Sequence, residues 1–159
     1  MSSIMSPDMT SSFALIADAL QEARDDWWLI GGAAFWAHGL AAAGLKDIDV
    51  LLSYADAKQI ARRYDLHAIS VEGTDLFRSR ALFQWMTPAI PVEFMSELEV
   101  KSGAQWHPVL PNTREEIILE GMQVFVPDAD ELMHIGKLFG RPKDLARVKQ
   151  LQNLLQTTN

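Results

Sequence analysis

The stretch that most constrains this chain runs from Trp27 to Ser53, WWLIGGAAFWAHGLAAAGLKDIDVLLS. Trp27 to Ile30 is continuously apolar between turn signals and reads as a buried strand. Gly31 and Gly32 close it, and an Ala-rich, aromatic short helix follows over 33–40. Residues 41–46 form a loop, and Asp47 to Leu52 reads as a second strand. A helix of about eight residues spans roughly 12 Å. The loop must bring the chain back over that distance, so the two strands are expected to run antiparallel, with glycines and acids meeting. Side chains alternate along a strand, which points Asp47 and Asp49 the same way and Ile48 into the core. Two neighbouring carboxylates repel unless a cation sits between them, and the free N–H groups that open a helix face an anion. A metal beside a phosphate cradle is the chemistry this pattern suggests.

The rest of the chain supplies a frame for that unit. The Ser-rich first ten residues are expected to be loose, with Thr10, Ser11 or Ser12 capping an amphipathic helix that carries Phe13, Ile16, Ala17 and Leu20 on one face and runs to about Arg24. Ser53 or Tyr54 starts a helix to about Tyr64, His67 to Val71 reads as a third strand, and Glu72-Gly73 as its turn. The pattern over 77–86 is mixed. Ile90 to Met95 is a strand with Ile90, Val92 and Phe94 on one face and Glu93 on the other, and 101–112 is a Gly- and Pro-containing loop. Two apolar runs flanking Glu120-Gly121 predict a hairpin over 116–126. Pro127-Asp128 opens a helix that ends at Gly140. Pro142 starts a last helix to about Leu155, with Leu145, Val148 and Leu151 inward. Helices alternating with strands imply one α/β (α+β) domain over 1–159, a mixed sheet flanked by helices with a helical C-terminus.

Each candidate residue also has a plainer role. A D-x-D can be a polar strand start, paired glycines a tight turn, and Glu93 an edge-strand acid facing water. Taken together they favour chemistry: Asp47 and Asp49 hold Mg²⁺, which takes oxygen ligands and completes its shell with substrate phosphates. Glu93, a charge interrupting the apolar run PVEFM, is the natural third acid. It is placed to bind a second metal and take a proton from an attacking hydroxyl if its strand lies beside that of Asp47. Gly31 precedes the acid pair by sixteen and eighteen positions. Lys137 borders the buried face of its helix and is otherwise a surface lysine. Arg141 and Lys143 add a basic cluster around the Gly140-Pro142 break, where a phosphate contact is reasonable. Asp144 serves the dipole of the last helix. The five tryptophans read as packing residues, any one of which can stack on a ligand ring.

Composition narrows the partners. The net charge of −7, from 14 basic and 21 acidic residues, disfavours a surface that tracks nucleic acid. The chain has no cysteine for disulfides or thiolate chemistry, and its four histidines lack zinc-ligand spacing. With neither a secretory leader nor a run of membrane-spanning length, a cytoplasmic protein with no membrane partner is expected.

The runs LIGGAAFWAHG, KDIDVLLS, PVEFM and ELMHIGKLFGRPKDLARVKQL together resemble nucleotidyltransferases of the DNA polymerase β superfamily. The resemblance is strongest to the small bacterial group of minimal nucleotidyltransferases and AbiEii-type toxins of toxin–antitoxin systems, and covers about Trp28 to Leu151. It implies a nucleotidyltransferase-like mixed sheet, a glycine turn (Gly31, Gly32) holding a nucleoside triphosphate such as ATP, and Mg²⁺ on Asp47 and Asp49. Glu93 stands at the third acidic position and Lys137 at that of a late helical lysine. The string Arg141 to Asp144 matches a pattern often seen after that lysine. Relatives often carry an arginine and a threonine in the loop before the acid pair, and many have Asp at the third acidic position. Here the loop reads Ala-Ala-Ala-Gly-Leu, leaving Lys46 as its nucleotide-binding cation, and Glu93 is one methylene longer.

The function expected from this is Mg²⁺-dependent transfer of a nucleoside monophosphate from a nucleoside triphosphate to an acceptor hydroxyl, with a possible two-metal site and release of pyrophosphate. The acceptor is a small molecule, a protein or RNA, and an antitoxin partner goes with a toxin role. The alternative is a non-catalytic module of the same fold that binds a nucleotide or a partner protein. A glycosyltransferase using D-x-D for a nucleotide sugar is disfavoured, because such domains are usually longer.

Overall fold

The structure, a computed structural model, describes residues 5–41, 45–69 and 74–157. The first helix, α1 (Pro7–Leu20), begins earlier than the sequence suggests. Ser6 caps it, accepting from the Met9 N–H at 3.2 Å, Pro7 takes its first position and Asp8 lies in its first turn. Ser-Pro-Asp is a stronger start than Thr10 to Ser12 because it combines a cap, a preset φ and a charge matched to the dipole. Met5 and Met9 are buried, so from Met5 onward the expected loose N-terminus is a packed segment. The helix stops at Leu20 rather than near Arg24.

The strands β1 (Trp28–Ile30) and β2 (Ile48–Leu51) pair antiparallel across the short helix α2 (Gly31–Ala37), as the loop geometry requires. Helix α3 (Tyr54–Tyr64), capped by Ser53, follows β2. The short β3 (Phe77–Arg78) is followed by β4 (Ala81–Trp85) and β5 (Val92–Ser96). The main sheet has the order β1-β2-β5-β4, with β2 and β5 parallel and both outer pairs antiparallel.

Two departures from the sequence reading stand out in the middle of the chain. The proposed third strand reduces to a bridge between Ala68 and Phe83, and Ser70, Val71 and the Glu72-Gly73 turn lie outside the described residues. The proposed loop over 101–112 contains a hairpin, β6 (Glu99–Ser102) and β7 (Gln105–Pro108), which joins β3 in a second sheet. It turns at Gly103, whose φ of +65° favours glycine. Val100 is the fully buried residue of this hairpin, so no apolar run announces it.

The hairpin β8 (Glu115–Leu119) and β9 (Met122–Val126) forms as expected, and then α4 (Ala129–Phe139) and α5 (Pro142–Thr157). In α5 two of the three residues expected to face inward do so, and Leu145 does not. Leu145 is 48% exposed, while Asp144, Val148 and Leu151 point inward. No helix among the described residues is long and apolar enough to cross a membrane.

The alternation of the main sheet divides the molecule into two packed layers. Leu29, Ile48, Val50, Val92 and Phe94 are fully buried on one face, against Phe13, Ile16, Ala57 and Ile60. On the other face, Trp28, Ile30, Leu51 and Met95 meet Leu98, Val100, Val109, Ile135 and Phe139 in a smaller cluster. Asp49 and Glu93 share the parity of Leu51 and Met95. They therefore lie on this second face, at the end of its apolar cluster.

Candidate active site

Two registers build the site. Antiparallel pairing sets Ile30 opposite Asp49, so the chain leaves β1 beside the acid, and parallel pairing sets Asp49 opposite Glu93. Gly31 sits at φ +66°, and a Cβ there would lie 2.9 Å from Asp49 Oδ2. A side chain at 31 would be strained in the backbone and would strike the carboxylate, so glycine is required twice over. Asp47, just ahead of β2, is exposed, while Asp49 and Glu93 are half-buried. Each of the three offers an oxygen within 4.8 Å of the others.

That convergence is electrostatically costly. Burial, and then the charges of Asp47 and Glu93, push the Asp49 carboxyl well above the usual range, and Arg141 only partly opposes them. Glu93 is also raised, by burial and by Asp47, while a hydrogen bond with Asp49 pulls it back. Asp49 Oδ1 is buried with no hydrogen-bond partner among the described residues. Buried oxygens are nearly always paired, so an orphaned one beside two further carboxylates needs an explanation. A cation supplies one. The donor set is entirely carboxylate oxygen, which suits a hard divalent ion such as Mg²⁺ rather than a thiolate- or imidazole-seeking metal.

The acids open into a cleft of about 520 Å³. One wall carries Gly31, Gly32 and Lys46. Thr74, Phe77 and Arg78 form a second, and Phe139, Arg141, Lys143 and Arg147 a third. Phe77 and Phe139 meet edge to face at 4.8 Å, giving the cleft an aromatic corner. A second cavity, of about 680 Å³, shares Arg78, Ser79 and Leu98 with this cleft and is otherwise walled by residues such as Trp28, Leu52, Glu97 and Leu110.

The sequence-derived residues fare unequally. Gly31, Gly32, Lys46, Asp47, Asp49 and Glu93 all line the one cleft. Lys137 is exposed in the last turn of α4 and is absent from that lining, where Arg141 and Lys143 stand instead. Asp144 does more than face a helix dipole. Buried at 2% exposure, it accepts from the Arg141 backbone N–H at 3.2 Å and from its guanidinium at 2.6 and 3.1 Å. Trp27, Trp28, Trp36 and Trp85 are buried and Trp106 half-buried, and none lines this cleft. Its aromatic groups are phenylalanines. Arg147 escaped the sequence reading. The available signal was its spacing of four from Lys143, which puts both on one face of α5.

No protein-family profile matches this chain, and no curated protein matches it. Solved structures do. A candidate nucleotidyltransferase of Thermotoga maritima superposes with a TM-score of 0.71 at 18% identity, covering 98% of this chain and 96% of that one. The antibiotic-resistance factor ANT(2'')-Ia gives 0.60 at 13% identity, over 92% of this chain and 85% of its own. The lincosamide antibiotic adenylyltransferase LnuA, solved with lincomycin bound, gives 0.59 at 10% identity, over 89% and 94%. The chain has the nucleotidyltransferase fold: a mixed α/β arrangement shared along most of its length.

Proposed function

We propose that this protein is a divalent-metal-dependent nucleotidyltransferase that moves a nucleoside monophosphate from a nucleoside triphosphate to an acceptor hydroxyl. The observation that carries the reading is the meeting of Asp47, Asp49 and Glu93 within 4.8 Å at the diglycine bend, with one Asp49 oxygen orphaned. Asp47, Asp49 and Glu93 would hold Mg²⁺, which when bound offsets their mutual repulsion and stabilises negative charge developing on the phosphates.

The chain's own groups then have distinct tasks. Gly31 and Gly32 let the backbone approach the triphosphate, and Lys46 adds charge from the loop side. The half-buried Glu93 would offer a carboxylate oxygen to accept the acceptor's hydroxyl proton. The hydroxyl oxygen forms a bond to the α-phosphorus, the bond from that phosphorus to the β-phosphate bridging oxygen breaks, and pyrophosphate leaves with the electron pair. Alignment within the cleft supplies the orientation that such a displacement needs. The aromatic corner of Phe77 and Phe139 is a surface on which a base can stack.

A small hydroxylated molecule is the acceptor we favour over a toxin's protein or RNA target. The second cavity adjoins the cleft and falls within the 300–1,000 Å³ typical of small-ligand sites, and the net charge of −7 disfavours RNA. LnuA, a lincosamide antibiotic adenylyltransferase of the same fold, binds lincomycin, a small molecule. A cytoplasmic location, where nucleoside triphosphates are abundant, suits this chemistry.

The test is a Mg²⁺-dependent pyrophosphate-release screen of the four nucleoside triphosphates against pools of hydroxylated small molecules, proteins and RNA. Transfer is expected with the small-molecule pool and lost in Asp49→Ala. Unchanged transfer in a folded Asp49→Ala protein would remove the assigned site. Binding of triphosphate without transfer to any pool would favour the non-catalytic alternative.

A further inference from the structure

The loop ahead of the acid pair brings Lys46 to the cleft, and Lys46 is exposed. A better-placed cation comes from the far end of the chain. Arg147, in the second turn of α5, lies against the diglycine. A Cβ built on Gly32 would stand 3.0 Å from one of its terminal nitrogens and 3.3 Å from its Cζ, with Leu45 Cδ1 at 3.1 Å. Gly31 needs its positive φ; Gly32 does not, and its lack of a side chain instead leaves room for the guanidinium.

The cleft's other arginines are already engaged. Arg78 holds Glu99 at 2.7 Å and Arg141 holds Asp144 at 2.6 Å. Arg147 is half-buried and, among the described residues, forms neither an ion pair nor a hydrogen bond, although three carboxylates line the same cleft. A guanidinium offers five donors, accepts nothing and keeps its charge, so partial burial without an acceptor leaves it poised for an anion. Its planar fork fits phosphate oxygens in pairs. Lys143, one turn earlier on the same face, also lines the cleft.

We propose that Arg147, seated on Gly32 and assisted by Lys143, grips the phosphates beyond the α-phosphorus of the bound triphosphate. The proposal rests on the nucleotidyltransferase reading and adds to the charge of Lys46 a phosphate grip from the C-terminal helix. Gly32 then has a defined purpose, which is to admit the guanidinium. Triphosphate would bridge α5 and the β1–α2 turn, two elements distant in sequence.

Calorimetric titration of the full chain in Mg²⁺ with inorganic tripolyphosphate, the four nucleoside triphosphates and AMP tests this in the wild type, Arg147→Gln, Arg147→Lys and Gly32→Ala. Loss of a charge-assisted phosphate contact is expected to weaken tripolyphosphate and ATP binding roughly ten- to a hundredfold in Arg147→Gln, with AMP affinity changed by less than about threefold. Arg147→Lys keeps the charge without the fork and should fall between, carrying the test if the glutamine variant does not fold. Gly32→Ala should shift affinity in the same direction by less, because its methyl pushes the guanidinium and Leu45 aside by only a fraction of an ångström. Wild-type binding matched by both Arg147 variants overturns the proposal while leaving the nucleotidyltransferase reading intact. An equal loss for AMP and tripolyphosphate also overturns it, since that marks general damage. Absence of wild-type binding to tripolyphosphate and to all four nucleoside triphosphates removes both.

Discussion

Asp56 is buried and Asp49 half-buried, and the fold treats the two carboxylates in opposite ways. Asp56, 3% exposed, accepts the Arg24 and Asp25 backbone N–H groups at 3.1 and 3.0 Å and so pins the segment that leads into β1. Asp49 faces two more carboxylates and keeps an oxygen with no partner among the described residues. One carboxylate closes backbone donors that a turn leaves open, and the other sits where its surroundings raise its energy. A buried acid supplied with donors holds structure together. A half-buried acid denied them is a candidate site for a cation that the chain does not supply.

The largest expected effect breaks the pair apart by function. Asp49→Asn should lower pyrophosphate release by at least roughly a hundredfold, the scale of losing one charge-stabilising group at a reacting centre. Asp56→Asn should leave the turnover of folded protein near wild type.

Stability should reverse the ranking. Asp56→Ala removes the two hydrogen bonds that the Arg24 and Asp25 backbone N–H groups make to its carboxylate, each worth about 1 kcal/mol or somewhat more. Thermal or urea unfolding should therefore show a clear loss. Asp49→Asn removes the repulsion and should raise the melting temperature in EDTA. Destabilisation by both variants would refute the contrast.

Mg²⁺ sharpens it further. At a concentration a hundredfold above its dissociation constant, a bound ion adds about 2.7 kcal/mol of stability. Wild-type protein should gain in melting temperature on Mg²⁺ addition, and Asp49→Asn should gain less. Equal gains would place the ion elsewhere.

The smallest effect is in the pH profile. Asp49 and Glu93 bind protons more tightly folded than unfolded, so in EDTA their contribution favours folding at acid pH and is lost as pH rises through their raised folded values. Glu131 has the opposite sign. Burial raises its carboxyl, but the N–H groups of Asn112 and Thr113, both at 2.8 Å, and the Thr113 hydroxyl outweigh that and leave it below the ordinary range. Its contribution is present above the ordinary glutamate range and is lost as pH falls through the depressed folded value. Melting curves across acid to neutral pH should show Asp49→Asn gaining over wild type as pH rises. Glu131→Gln should lose most at neutral pH and little at strongly acid pH.

The unit from Trp28 to Leu51 was legible because its signals are local: an apolar strand, a glycine pair, a short helix and an alternating acid pair each follow from neighbouring residues. The same holds for the β8–β9 hairpin and for the Asp128 cap of α4, whose side chain accepts from the Glu131 N–H at 2.8 Å. The β6–β7 hairpin was not legible, since strands with polar outer faces look like loop. Lys137 and Arg147 show the limit for site residues. Helical spacing sets which face a cation occupies, but where that face points depends on how α4 and α5 pack. The packing is tight where Gly136 meets Val148, since a Cβ on Gly136 would stand 2.7 Å from that residue's Cγ2.

By itself the sequence determined the order of elements around the diglycine, the antiparallel return of the chain and the shared facing of Asp47 and Asp49, because chain geometry over a few residues leaves little choice. Tertiary structure decided that β5 lies parallel beside β2, bringing Glu93 level with Asp49, and that α5 returns to set Arg147 on Gly32. Those contacts join residues far apart in the chain, and burial of the two apolar clusters selects them.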